Sequence, residues 1–334
     1  MTTKMSKKGG VILLLLLPLA FAIIALCIGR FTIPMQDVLT TLLSPFGVES
    51  ETKYEMVIWN VRLPRIVMAM VIGAGLAVAG ACFQAVFANP LASPDTIGVS
   101  SGAAFGAALA LLCSLSAVFV QSIAIAFGLI SIAVTFLLSK RKGNGNILLI
   151  VLAGVIVSAF FTALISGIKY VADPAEKLPE ITYWLMGSLS GSAWDDFFFS
   201  GPFIFIGILG IYLLRWRLNI LVLSEEEIRS LGMKVGRIRW AVIILATMIV
   251  AASVSVVGQV GWIGLVIPHI ARALVGTDHR KLIPVSMSIG AAFLVVIDTI
   301  SRSVVAGEIP LSILTAVIGA PLFAFLYFRK GSVS

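Results

Sequence analysis

Residues 64–86 read PRIVMAMVIGAGLAVAGACFQAV, and this stretch decides the class of fold. Between Arg65 at its start and Gln84 near its end it contains only apolar and small residues. About 20 such residues are enough for an α-helix to cross the hydrocarbon core of a bilayer. Its closely spaced glycines and alanines are typical of a helix that packs tightly inside a membrane bundle. The stretch therefore predicts a transmembrane helix with close helix neighbours.

The composition extends this interpretation to the whole chain. Of 334 residues, 59% are hydrophobic and only 12% charged, and the mean hydropathy is +1.08. Soluble domains average about 45–50% apolar and about 25% charged residues, so this chain has too little charge to cover a soluble surface. The apolar residues could fill about ten spans of about 20 residues each. We predict an all-α integral membrane protein whose residues 1–334 form a single transmembrane domain.

Apolar blocks and the Gly, Pro and charged residues between them place the spans. The blocks predict helices near residues 11–29, 64–86, 97–114, 117–138, 147–168, 197–215, 240–257, 261–275, 282–301 and 310–328. Breaks at Asn89-Pro90 and between Gly261 and Pro268 are tolerated at membrane depth only where the backbone is buried or lines a cavity.

The net charge of +8 is distributed as in a membrane protein rather than as in a nucleic-acid-binding protein. With both termini in the cytoplasm, 17 of the 24 Lys and Arg residues fall in cytoplasmic segments. This asymmetry follows the positive-inside rule, so we expect cytoplasmic N- and C-termini.

The longest polar segment predicted to be cytoplasmic is residues 219–239. Ser224 and Glu227 have the spacing of a capping box at a helix start, and Gly232 offers a helix end. We expect two short helices here. From the residues alone, a solvated connection and a docking site for a peripheral partner remain equally open.

The chain lacks the motifs of several enzyme classes. No Gly-Lys dipeptide occurs, so no phosphate loop for ATP is present, and neither H-E-x-x-H nor G-x-S-x-G is found. The two histidines and three cysteines lack the spacing of metal ligands. We expect no catalytic residues, no metal site and no cofactor in this chain.

Asp298 is the one carboxylate deep within a predicted span. An intramembrane acid is by default a functional candidate, for example as a proton or ion relay. Arg302 lies four residues later and can pair with it on the same helix face, which we favour. The relay interpretation defines an alternative function, an ion-coupled secondary transporter that uses Asp298.

Short motifs occur in order along nearly the whole chain. They are Arg62–Arg65, Gly73–Gly80 with Gln84, Asn89–Ala92 with Pro94, Gly98–Gly102, Trp184–Ser188, Ser224-Glu225, Leu231-Gly232, Gly261–Arg272, Asp278–Arg280, Asp298–Arg302, Glu308–Pro310 and Thr315–Pro321. As an ordered set they resemble the permease subunits of ABC importers for iron-siderophores, haem and vitamin B12, the type II importer or FecCD-like family.

The resemblance implies the type II ABC importer permease fold of about ten helices, in a homo- or heterodimer in the bacterial inner (plasma) membrane. Two ATP-binding cassette ATPase subunits would bind the cytoplasmic face and hold the ATP. An extracytoplasmic substrate-binding protein would bind the outer face. The implied cargo is an iron-siderophore, or else haem, cobalamin or an oxyanion such as molybdate, carried by alternating access.

The resemblance also implies roles for individual residues. ATPase coupling falls to Ser224, Glu225, Glu226, Glu227, Leu231 and Gly232, and binding-protein docking to Arg62, Arg65 and Arg302. Pathway or structural roles fall to Asn89, Pro90, Trp184, Gly187, Ser188, Pro268, His269 and Asp298. The fifth span, residues 172–190 and the tenth span would line the pathway. We expect the three docking arginines to lie at the outer ends of spans with their charges in water.

Overall fold

The structure, a computed structural model, describes residues 8–140, 147–223, 227–228, 235–305 and 307–331. Within these ranges the regular structure is helical and no strand is found. In chain order the helices are α1 (Lys8–Cys27), α2 (Met35–Leu43), α3 (Thr52–Val57), α4 (Leu63–Val86), α5 (Val99–Leu112), α6 (Ala117–Lys140), α7 (Ile147–Val171), α8 (Lys177–Met186), α9 (Trp194–Leu221), α10 (Gly236–Val257), α11 (Ile263–Val275), α12 (His279–Ser303) and α13 (Leu311–Gly331).

Every predicted span coincides with a helix of the structure. The segments long and apolar enough to cross a membrane are Thr52–Val86, Ala117–Ser139, Leu148–Val171, Trp194–Leu221, Gly236–Val257 and His279–Ser303. The other four predicted spans correspond to α5 and α11, which are shorter apolar helices, and to the apolar stretches Leu14–Cys27 of α1 and Leu311–Leu326 of α13. The chain is thus a multi-pass, all-helical membrane protein, while the count of ten spans stays a prediction.

Helix α4 lies in the middle of the bundle and packs against α1, α9, α10, α11 and α12. Its small residues let neighbouring backbones come into contact. A Cβ atom added to Gly80 would lie 1.9 Å from the carbonyl oxygen of Gly264 in α11. One added to Gly73 would lie 2.3 Å from the carbonyl oxygen of Gly290 in α12. The glycines of the opening stretch are therefore required by two helix crossings.

The structure adds helices that the sequence analysis did not place. Helices α2 and α3 occupy the segment between the first two predicted spans, and α3 runs on through a π-helical turn, Ile58–Arg62, into α4. Helix α8 lies in the predicted outer segment 172–190. These helices are short, and α2 is polar on one side, so none of them resembles a span in hydropathy.

The predicted break between Gly261 and Pro268 lies earlier than expected. Helix α10 ends at Val257 and is followed by Gly258 (φ +71°). Helix α11 begins after Trp262 and continues through Pro268. Trp262 has a φ of +69°, a conformation that costs free energy for a residue other than glycine. A Cβ atom added to Gly319 would lie 2.8 Å from the Cβ atom of Trp262. Helix α13 therefore passes close to this bend.

We predict that Gly80→Ala destabilises the fold by about 1–3 kcal/mol or more, because the added methyl group requires a backbone to move. The free energy of unfolding would be measured by denaturant titration in detergent. Gly167→Ala in α7 is the matched control, since no atom lies within 4 Å of the added Cβ. Equal stability of the two variants would contradict the packing described here.

Candidate functional site

Arg65, at the start of α4, lies between two carboxylates. Its Nε and Nη2 atoms donate to Asp298 Oδ1 of α12 at 2.9 and 2.8 Å. Its Nη1 and Nη2 atoms donate to Glu308 Oε1 and Oε2, in the connection to α13, at 2.7 and 2.9 Å. Arg65 is 7% exposed and Asp298 1% exposed. The planar guanidinium thus donates from two edges, an arrangement that makes strong charge-assisted hydrogen bonds between α4, α12 and the start of α13.

Two further arginines hold the end of α1. Arg62 donates to the backbone carbonyls of Leu26 and Phe31, and Arg302 donates to that of Ala25. The last carbonyls of a helix have no donor within the helix, so these arginines satisfy acceptors that would otherwise be unpaired. Gly29 lies against them, and a Cβ atom there would be 2.9 Å from Arg62 Nη2.

These side chains line a cavity of about 240 Å³, which we call the arginine cavity. Its charged lining residues are Arg30, Arg62, Arg65, Arg302 and Glu308. With Asp298 counted beside Arg65, four positive charges face two negative ones, so the cavity carries a net positive charge. Burial raises the pKa of Glu308, but the hydrogen bond and the charge of Arg65 outweigh it, and the pKa is lowered from its ordinary value.

The expected environment of the three docking arginines is wrong. Arg62, Arg65 and Arg302 are all buried rather than extended into water. Arg65 does have acidic partners, but they lie 233 and 243 residues away along the chain. The expected pairing of Asp298 with Arg302 is present at 3.7 Å, and it is secondary to the shorter contacts of Asp298 with Arg65.

The motif Trp184–Ser188 forms a joint between three helices next to this network. The Ser188 amide donates to the Val257 carbonyl at 3.0 Å, and the Leu311 amide to the Gly187 carbonyl at 2.9 Å. Ser188 Oγ lies 3.5 Å from Glu308 Oε2. Gly187 has a φ of +78°, and a Cβ atom there would lie 2.9 Å from the Val257 carbonyl oxygen. The joint connects the ends of α8 and α10 to the start of α13.

Comparison with known proteins identifies the family. Residues 14–329 match the model of the FecCD transport family. The chain belongs to the FecCD family. It is an ABC-type permease, the transport component of such systems rather than an enzyme.

Individual FecCD relatives are similar over most of their length. The molybdate import system permease of Haemophilus influenzae is 42% identical over 318 residues, covering 95% of this chain and 94% of that protein. A probable iron chelatin transport system permease of Helicobacter pylori is 38% identical, covering 85% of this chain and 86% of that protein. A solved structure described as an inward-facing metal-chelate type ABC transporter has a TM-score of 0.88 at 40% identity, covering 97% of this chain and all of the other.

The other motif residues of the FecCD chain do not converge on one place. Asn89 and Pro90 follow α4 at the end opposite to the arginine cavity, and Asn89 Oδ1 accepts from the Leu91 amide at 2.9 Å. Pro268 and His269 are buried inside α11, where the His269 ring lies 5.4 Å from that of Phe323. Trp184 lines a separate cavity of about 390 Å³. Their pathway roles remain predictions.

Helix α7, the predicted fifth span, exposes a row of hydroxyl groups that the sequence analysis did not single out. Ser158, Thr162 and Ser166 line an open cleft of about 550 Å³ together with Asp95. The Thr162 and Ser166 hydroxyls donate to carbonyls one turn earlier, at 2.8 and 3.0 Å. Their spacing of four residues was a signal available in the sequence.

The predicted coupling segment is covered only in part. Ser224, Glu225, Glu226, Leu231 and Gly232 lie outside the described residues. Glu227 and Ile228 are helical, and Ile228 is buried. The segment connects the end of α9 to the start of α10.

We predict that Asp298→Asn lowers the free energy of unfolding by about 3–5 kcal/mol, because it leaves Arg65 and Arg302 buried with too little negative charge. Glu308→Gln should cost less, since the Glu308 side chain is 22% exposed and water can replace part of the interaction. Denaturant unfolding in detergent measures both, with the exposed Asp195→Asn as control. A loss at Asp298 no larger than at Asp195 would contradict the structural role of the network.

Proposed function

We propose that this chain is the membrane subunit of an ATP-driven importer. It works as a dimer of permeases with two ATPase subunits on one face and a binding protein on the other. The observation that carries the proposal is the similarity, over 97% of the chain, to an inward-facing metal-chelate type ABC transporter. Such a protein moves its cargo by alternating access, driven by ATP hydrolysis in the partner subunits.

The proposed cargo is a compound that contains a metal. An iron-siderophore, haem or cobalamin is the class expected from the sequence, and relatives named for iron chelate, haem and cobalamin support it. Molybdate is a second candidate, favoured by the relative named as a molybdate permease, which is 42% identical to this chain. Because the binding protein selects the cargo first, we propose that the permease cavity is wide rather than finely selective.

The proposed orientation puts the arginine cavity outside the cell and segment 219–239 in the cytoplasm, in a bacterial plasma membrane. Both termini are then cytoplasmic. The direction rests on the positive-inside rule, and in support of the alternation of spans, helix ends assigned to the same side of the membrane are neighbours. The end of α1 meets the start of α4 through Arg62, and the end of α9 meets the start of α12 through Asn219 and His279.

We propose that the arginine cavity receives an acidic side chain of the binding protein. The charge of Arg65 is already neutralised by Asp298 and Glu308. Arg62, in contrast, donates to backbone carbonyls and forms no ion pair among the described residues. A carboxylate that enters the cavity would therefore meet excess positive charge in a partly dry site, where charged hydrogen bonds are strong.

The alternative of an ion-coupled secondary transporter receives no support from the structure. Asp298 accepts hydrogen bonds from Arg65 on both of its oxygen atoms. A carboxylate that is held in this way makes a poor relay, because protonation would break its contacts with the arginine. Membership of the FecCD family also favours the ABC importer.

Uptake into liposomes tests the proposed function. The permease, reconstituted with its ATPase subunits and binding protein, should accumulate one labelled cargo, ferric siderophore or molybdate, only when ATP is supplied. The chain alone under a proton or sodium gradient should accumulate neither. Gradient-driven uptake by the chain alone would contradict the proposal.

The variant Arg62→Gln tests whether the binding protein docks at the arginine cavity. We predict that it weakens binding of the binding protein by about 10–100-fold and reduces the dependence of the affinity on salt, because a charge-assisted hydrogen bond is lost. Lys53→Gln, an exposed cation near the same end, is the matched control. Arg65→Glu is unsuitable, because it would set a carboxylate against Asp298 and Glu308. Unchanged affinity and salt dependence in a folded Arg62→Gln variant would rule out the docking role.

A further inference from the structure

The end of the bundle opposite to the arginine cavity contains a second charged cavity. It has a volume of about 410 Å³ and lies where the ends of α4, α9 and α11 meet the start of α12. One water occupies ~30 Å³ in the liquid, so a small solvated ion fits inside. We call it the Arg272 cavity. The lining residues that matter here are Gln84, Asn89, Asn219, Arg272, Thr277 and Asp278.

Arg272 is a partly buried cation whose partner is neutral. It donates through Nη2 to Oε1 of Gln84. The orientation of the Gln84 amide is fixed, because its Nε2 donates to the carbonyls of Gly264 and Leu265 at 3.2 and 3.3 Å. Among the described residues no carboxylate forms an ion pair with Arg272. Removing a cation from water without a matching anion costs free energy, so this geometry favours an anionic ligand.

Asp278, the one acid among the lining residues, accepts hydrogen bonds from groups other than Arg272. Asp278 Oδ1 accepts from the Arg280 amide at 3.0 Å, at the start of α12, and from Asn219 Nδ2 at 2.8 Å. These two hydrogen bonds, with the nearby charges of Arg280 and Lys281, lower the pKa of Asp278. Arg280 and Lys281 follow Asp278 in the chain and place two positive charges beside its carboxylate.

Neutral donors complete the lining. Asn219 has a fixed orientation too, since its Oδ1 accepts from the His279 amide at 2.9 Å and lies 2.8 Å from His279 Nδ1. Asn89 and Thr277 are exposed to the cavity and bring an amide and a hydroxyl group. The Arg272 guanidinium, with the amide of Asn89 and the hydroxyl of Thr277 in the same lining, is a suitable arrangement for a tetrahedral oxyanion.

We propose that the Arg272 cavity binds a phosphate-type tetrahedral oxyanion, with the Arg272 guanidinium as its principal ligand. This chemistry has two sources, a free oxyanion such as phosphate or molybdate and the headgroup phosphate of a phospholipid. The site is distinct from the arginine cavity and lies at the other end of α4.

The free-ion arm uses the full-length permease in a phosphate-free sugar detergent, titrated calorimetrically with inorganic phosphate and with molybdate. The lipid arm uses nanodiscs of phosphatidylglycerol mixed with a phosphate-free galactolipid, with retained lipid counted by native mass spectrometry. Saturable binding in either arm supports the proposal and identifies the source. An absence of binding in both arms overturns it.

Variants test the role of Arg272. Arg272→Gln should weaken the observed binding by about 10–100-fold, the range expected for loss of a charge-assisted hydrogen bond. Arg237→Gln, an exposed cation in the first turn of α10, should leave it unchanged. If Arg272→Gln fails to fold, Thr277→Asp takes its place, because it brings a negative charge to an exposed position while Thr277→Asn does not. Unweakened binding in folded Arg272→Gln, or in Thr277→Asp where Arg272→Gln does not fold, overturns the proposal.

Discussion

The contact between Arg65 and the carboxylates of Asp298 and Glu308 is the interaction on which the arginine-cavity end of the helix bundle depends. Two buried charges and a third that is partly exposed are tolerable together only when the geometry is close and the remaining hydrogen-bonding groups are satisfied. Here that condition fixes the start of α4, the last turns of α12 and the connection to α13 relative to one another. Arg302 and Arg62 extend the same set of contacts to the end of α1.

Close backbone contact is the second constraint, and it acts deeper in the bundle. The glycine pairs Gly73–Gly290 and Gly80–Gly264 bring α12 and α11 against α4. The two ends differ in chemistry, since one buries an ion network beside excess arginine and the other has an arginine held by an amide.

The sequence predicted the helices well, because a span is a local property of about 20 consecutive residues. It did not predict the partners of Arg65, because no local pattern connects Arg65 to residues 233 and 243 positions away. The rule that long cations extend into water at helix ends suggested exposed arginines, and here folding supplied carboxylates and carbonyls instead. The sequence did not predict helices α2, α3 and α8, because they are too short to give a hydropathy signal.

The central proposal is that the two ends face opposite compartments, with the arginine cavity outside. Labelling of intact cells with an impermeant thiol reagent tests it most directly. Cys113, which is exposed at the end of α5, should react from outside in the unaltered chain. A Lys234→Cys variant, with Cys27 and Cys113 replaced by serine, should react only after the cells are permeabilised. Labelling of Lys234→Cys in intact cells, with no reaction of native Cys113, would invert the topology and contradict the account.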